Sequence, residues 1–245
     1  MPRRLLIAAW LIAAAAACAS AQEVSVPAAV YPALPRTAPD AAGFAPPGWA
    51  LEAQASGDLN RDGSDDLVMV FRERNPRNIL DNQGFGPSPF DTNPRILAVA
   101  FAGGAGQPFR LALENHTLIT RHETPTLDDA FDKDDGPTVR RGAFTVTLGL
   151  FANAGGWDMA RITFTFRYRD ARFELIGYDR STVTRNTGAT RDVSVNLLTG
   201  RVRTETGSIE SDVGKVRLSR LPKGAAPTIE QVGDGMEFEP AGLNR

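Results

Sequence analysis

The run GDLNRDGSDD, Gly57 to Asp66, sets oxygen-bearing side chains at alternate places: Asp58, Asn60, Asp62, Ser64 and Asp66. Counted from Asp58 they occupy positions 1, 3, 5, 7 and 9, with Gly63 at position 6. A hard cation such as calcium takes 6–8 oxygens at about 2.3–2.6 Å. Alternate side chains of a tight loop can point at one centre, and Gly63 permits the sharp turn such a loop needs. The competing reading is an Asx-rich turn with no metal. Acids at positions 1, 5 and 9 would then repel one another uncompensated, so calcium binding is the expected chemistry, in a structural role: no general base is tied to the loop.

An EF-hand would add a glutamate at position 12. Met69 stands there instead, inside the apolar run LVMVF, and no helical pattern flanks the loop. The stretch GDLNRDGSDDLVMV resembles the FG-GAP/VCBS type of repeat, which places a D-x-[DN]-x-D-G-x-x-D calcium loop just before a β-strand. That resemblance implies Asp58, Asn60, Asp62 and Asp66 as ligands, with the carbonyl of Ser64, and leaves Asp65 out. It covers only residues 57–70, in one copy, whereas propellers of such repeats need about 4–8 blades; no propeller is implied. More broadly, GDLNRDG, NPR, FTFRYRDARFELIGYD and NLLTGRV resemble a group of bacterial secreted proteins. This wider resemblance implies export and a single β-rich domain, and no reaction.

Other candidates are weaker. Asp128, Asp129, Asp132, Asp134 and Asp135 crowd into TLDDAFDKDDG, but their spacing fits no loop template, so a solvated acidic loop is expected over a second cation site. His116 and His122, the two histidines, lack a nearby third ligand for zinc and read as surface residues. Asn115 opens a glycosylation sequon, NHT, in a composition of bacterial character. Trp157, after Gly155 and Gly156, reads as a residue at the rim of the core, with ligand stacking as the alternative. The long irregular stretch Leu80 to Arg95, with Phe85 and Phe90, is either a binding loop or a loop packed by its own aromatics. The chain contains no G-x-S-x-G, S-x-x-K, H-E-x-x-H, P-loop or G-x-G-x-x-G.

The elements that must carry these residues are strands. DLVMVFRE, PFRLALEN, AFTVTLGLFA, ARITFTFRYR, RFELIGYDRS, RDVSVNLLTGRVRTET and GKVRLSRL read as strands, most with period-2 alternation; RILAVAFAG is a nearly continuous apolar run of buried-strand type. PTLDDAFD alone suggests a turn of helix. The expected fold is all-β, or a strand-dominated α+β, in one antiparallel, sandwich-like domain with few or no helices.

The N-terminus reads as a secretory signal over 1–21: Arg3 and Arg4, the apolar stretch Leu5 to Ala17, then Ala19-Ser20-Ala21 before Gln22. A lipoprotein signal with Cys18 lipidated is the alternative, but Ala15 stands where such signals usually carry Leu. Cys18 is the single cysteine, so cleavage after Ala21 leaves no disulfide and no catalytic thiol. Losing Arg3 and Arg4 takes the 27 basic residues to 25 against 29 acids, net −4, too mild to indicate nucleic acid or an anionic membrane as partner. The expected organisation is an Ala/Pro-rich linker over 22–47, a β-rich domain over 48–222 and a loop-like tail over 223–245. The expected function is that of an exported, periplasmic or secreted envelope protein without catalysis, with no transmembrane span, binding an unidentified envelope ligand or protein. The rival is a secreted hydrolase using the calcium loop and an Asp or His from the segments 80–95 or 128–135.

Overall fold

The structure is a computed structural model that describes residues 24–222, 224 and 226–243, apart from the side chain of Asp212. The expected signal segment 1–21, with Cys18, lies outside the described residues. No helix among the described residues is long and apolar enough to cross a membrane.

The strands are β1 (Thr37–Ala38), β2 (Trp49–Gly57), β3 (Asp66–Glu73), β4 (Ile79–Leu80), β5 (Phe90–Asp91), β6 (Arg95–Phe101), β7 (Phe109–Asn115), β8 (Thr138–Arg140), β9 (Ala143–Phe151), β10 (Asp158–Arg169), β11 (Arg172–Thr184), β12 (Ala189–Asn196), β13 (Arg201–Ser208) and β14 (Ser211–Arg220). The one α-helix among the described residues, α1 (Ile229–Val232), is a single turn. All pairings are antiparallel: a five-stranded sheet in the order β1-β7-β6-β3-β2, a seven-stranded meander from β8 to β14, and a small β4-β5 ribbon. The fold is the expected all-β sandwich.

Alternation decides which side chains fill the space between the sheets. Val68 and Val70 of β3 and Leu97 and Val99 of β6 meet Phe144, Val146 and Leu148 of β9, Ile162, Phe164 and Phe166 of β10, and Leu175 and Tyr178 of β11. The hairpin from β10 to β11 turns on Asp170 and Ala171, both at positive φ (49° and 62°), the conformation a two-residue hairpin loop requires.

The Ala/Pro-rich segment is not a free linker. Leu34, Ala38, Ala41 and Phe44 are buried in a second core with Met69 and Phe71 of β3 and Ile96, Ala98 and Ala100 of β6. This segment covers the outer face of the five-stranded sheet, and β1 pairs with β7. That cover explains the unbroken apolar runs of β3 and β6: strands buried on both faces lose their polar alternation. Prolines and alanines gave no periodicity by which to see it.

The tail also belongs to the fold. Ile229 and Val232 of α1 are buried, Thr228 bridges to Glu174, and Phe238 lies 6.1 Å from Phe164 and 6.0 Å from Tyr178, ring centre to ring centre. The turn of helix expected in PTLDDAFD is absent. Leu127 bridges to Ala152 and the Asp128 amide donates to the Phe151 carbonyl, so the segment runs extended beside the end of β9.

Candidate functional site

The acidic run is the loop of the hairpin β2–β3, whose last paired residues are Gly57 and Asp66. Two buried residues fasten it. Leu59 enters the core between the sheets. Asp66 is fully buried, and its carboxylate gathers three backbone amides: Leu59 (2.8 Å) and Asn60 (3.2 Å) on Oδ2, Ala102 (3.0 Å) on Oδ1. Ala102 follows β6, so one side chain ties the loop to the neighbouring strand. Burial raises the Asp66 carboxyl above its ordinary range, against the lowering effect of those amides.

The outer half of the loop wraps around Asp58. Its Oδ1 accepts the amides of Arg61 (2.6 Å) and Asp62 (3.2 Å), and its Oδ2 accepts that of Gly63 (3.1 Å). Arg61 and Gly63 both have positive φ, 68° and 86°, which curls successive amides towards one carboxylate. Asn60 Oδ1 accepts the Asp62 amide at 2.9 Å, and Asn60 Nδ2 donates to Asp62 Oδ2 at 2.9 Å. Asp62 Oδ1 accepts the Ser64 amide at 2.8 Å. The Asn60 bond and then the Ser64 amide hold the exposed Asp62 carboxyl below its ordinary range.

A carboxylate has about four lone-pair positions. Asp58 and Asp66 have each committed three to amides, and Asp62 two to its own bonds. Asp58, Asn60, Asp62 and Ser64 lie on the outer half of the loop, while Asp66 is turned inward. Among the described residues no group of three or more carboxylate, imidazole or thiol side chains stands close enough together to hold a metal ion. The donor chemistry fits calcium; the Asp62 carboxylate keeps about two lone pairs, while Asp58 and Asp66 keep about one each, that of Asp58 on the exposed side of the loop and that of Asp66 turned inward.

The segments 80–95 and 128–135 do converge, but on arginines. Arg95, 3% exposed, clamps two carboxylates at once: Glu52 through Nε (2.6 Å) and Nη2 (3.0 Å), and Asp129 through Nη1 (2.7 Å) and Nη2 (2.8 Å). Arg72 reaches Glu52 (3.3 Å), Asp91 (3.2 Å) and Asp129 (3.4 Å). Burial works against the Asp129 carboxylate, yet the Arg95 hydrogen bonds and the charges of Arg95 and Arg72 outweigh it and hold it ionised below its ordinary range. Sequence reading missed this network. Its one signal was a charge, Arg95, heading the otherwise apolar run RILAVA.

The remaining candidates stand apart. His116 stacks on Tyr31 at 4.3 Å and bonds Glu114, whereas His122 bonds the Leu127 carbonyl and meets the edge of Phe90. They share no site. Asn115 is buried, and its Oδ1 accepts the amides of Thr117 and Leu118. Trp157 is 62% exposed rather than set at the rim of the core; Arg185 takes the carbonyls of Ala152, Gly156 and Trp157 and holds that loop outward. In the long stretch, Phe90 is buried and Phe85 is exposed. Asp128, Asp132 and Asp135 wall a groove of about 410 Å³ on the outer face of β9–β11, where Arg161 pairs with Asp135. Asp134 takes no part in that wall; its amide donates to Asp132.

Compared with known proteins, the chain matches no family model, no curated protein and no solved structure.

Proposed function

We propose that this chain is an exported envelope protein with a binding or accessory role rather than a catalytic one, and that its β2–β3 loop holds one calcium ion that stiffens the fold. The observation that carries the calcium reading is the pair of buried fasteners, Leu59 and Asp66, beneath a curl of amides at Arg61, Asp62 and Gly63. They set Asp58, Asn60, Asp62 and Ser64 on one short loop before any ion arrives, so little ordering remains to oppose binding. Asp58, Asn60 and Asp62 would supply side-chain oxygens and Ser64 its carbonyl. Asp66 would act mainly by fixing the loop. An ion there would join the edge strand β2 to β3 in a domain whose described part contains no cysteine.

Asp129 is unsuited to a general-acid role: a general acid needs a carboxyl held neutral at working pH, and this one is held ionised by Arg95, whose bidentate clamp also occupies both its oxygens.

The test is thermal unfolding in EDTA and in added calcium, for the parent and for Asp58→Ala and Asp62→Ala. The melting temperature of the parent rises with calcium, by an increment that grows with the ratio of free ion to Kd, and both substitutions abolish the rise. A parent indifferent to calcium reduces GDLNRDGSDD to a polar turn.

A further inference from the structure

The seven-stranded sheet ends in β14, which has a strand on one side only among the described residues. β14 closes the strand order, so its outer edge pairs with no strand among the described residues. Such an edge presents a row of free N–H and C=O groups, a template for another extended chain. Natural edges are commonly short; this one runs for ten residues. It is also apolar: Val213 is 83% exposed, Val216 52% and Leu218 76%. These gather on one strand, whereas scattered single exposed apolar residues would need no explanation.

Register assigns its two faces. Val202 is buried and lies opposite Ser219; Thr204 lies opposite Arg217 and Thr206 opposite Lys215. Lys215 and Arg217 therefore point to the core side of the sheet, where Arg191, Thr204 and Thr206 continue a trough of about 430 Å³. Val216 and Leu218 point to the other face, opposite Glu205 and Arg203, which pair with each other at 2.6 Å. From Lys215 to Arg220 the strand carries three cations and no acid.

We propose that β14 docks an extended segment of a partner protein that adds to the sheet as an eighth strand, with acidic side chains on the core-side face and apolar side chains on the other. The run of Lys215, Arg217 and Arg220 with no acid among them suits an acidic occupant, and it disfavours a second copy paired about the middle of that run. Antiparallel self-pairing centred on Val216 would set Lys215 of each copy opposite Arg217 of the other, and like charges directly opposite destabilise a pair. An acidic strand turns the same two positions into attraction, while main-chain bonds supply affinity and the alternate side chains supply selectivity. The inference gives the binding role proposed above a surface and rests on that role, not on the calcium loop.

The test follows amide hydrogen exchange of the purified protein with an eight-residue blocked peptide of alternating Glu and Val, and with its Lys and Val counterpart. The Glu peptide slows exchange in β14, the effect weakens with salt because the charges are exposed, and the Lys peptide is at least tenfold weaker. Lys215→Glu with Arg217→Glu, both at exposed positions, reverses the preference. Protection elsewhere but not in β14 overturns the edge inference while leaving a binding role in place; no protection anywhere overturns the edge inference as well. A preference unchanged by the double substitution overturns it, and so does a dimer by light scattering whose β14 amides are already protected, which would give the edge to a second copy. Calcium-dependent melting is read separately and moves with none of these.

Discussion

Replacing Asp66 with Ala removes the acceptor for three amides at once. The Leu59 amide is buried and loses its partner; those of Asn60 and Ala102 are partly buried and can recover water. One buried donor left unmet costs about 1–3 kcal/mol, and two partly buried ones add roughly 0.5–1.5 kcal/mol each, for a total of about 4 kcal/mol. In a domain of this size that lowers the melting temperature by about 8–16 °C. Asp58→Ala is the control. It also loses three amides, on Arg61, Asp62 and Gly63, but the loop there is exposed and water replaces the carboxylate. Its loss in EDTA stays within about 1 kcal/mol. The assay is chemical unfolding in EDTA, with the denaturant slope unchanged between variants. A pH series sharpens it. Because the folded-state carboxyl of Asp66 is raised, the folded chain keeps its proton to higher pH than the unfolded chain does. This residue's contribution is therefore greatest below the ordinary carboxylate range and falls as pH climbs through the raised value. Asp66→Asn flattens that slope. Equal losses for Asp66→Ala and Asp58→Ala in EDTA would refute the reasoning, since burial would then not govern the cost.

Arg95→Met leaves Glu52 and Asp129 facing only the more distant Arg72, and costs about 3–5 kcal/mol by equilibrium unfolding, as breaking a buried pair does. The folded-state carboxyl of Asp129 is lowered, so its stabilisation is present above the unfolded value and disappears as pH falls through the folded one; Asp129→Asn makes the acid limb of a stability–pH curve shallower. Phe44→Ala costs about 3–5 kcal/mol if residues 34–44 cover the second core; a loss near zero in calorimetry would return that segment to the status of a tether.

The sequence by itself determined the strands. Period-2 alternation marked β9 to β13 because each buries one face and wets the other, a property local to the strand. The boundaries of β3, 66–73, were legible for the same reason: a polar loop stops where an apolar run starts. The acidic loop was legible as a spacing, since alternate oxygens and a glycine need no distant partner to be recognised. Tertiary structure decided what depended on partners remote in the chain. Asp66, equivalent to Asp58 and Asp62 on paper, is turned inward because Ala102, 36 residues on, offers an amide beside it. Arg95 finds Glu52 and Asp129 at separations of 43 and 34 residues. The segments at 34–44 and 229–238 join the core although neither alternates, because an irregular chain can fill a hydrophobic face left open by a sheet without any period of its own. The open edge of β14 follows the same logic: period marks a strand, and only the order of strands in the sheet shows which one has a neighbour on one side alone among the described residues.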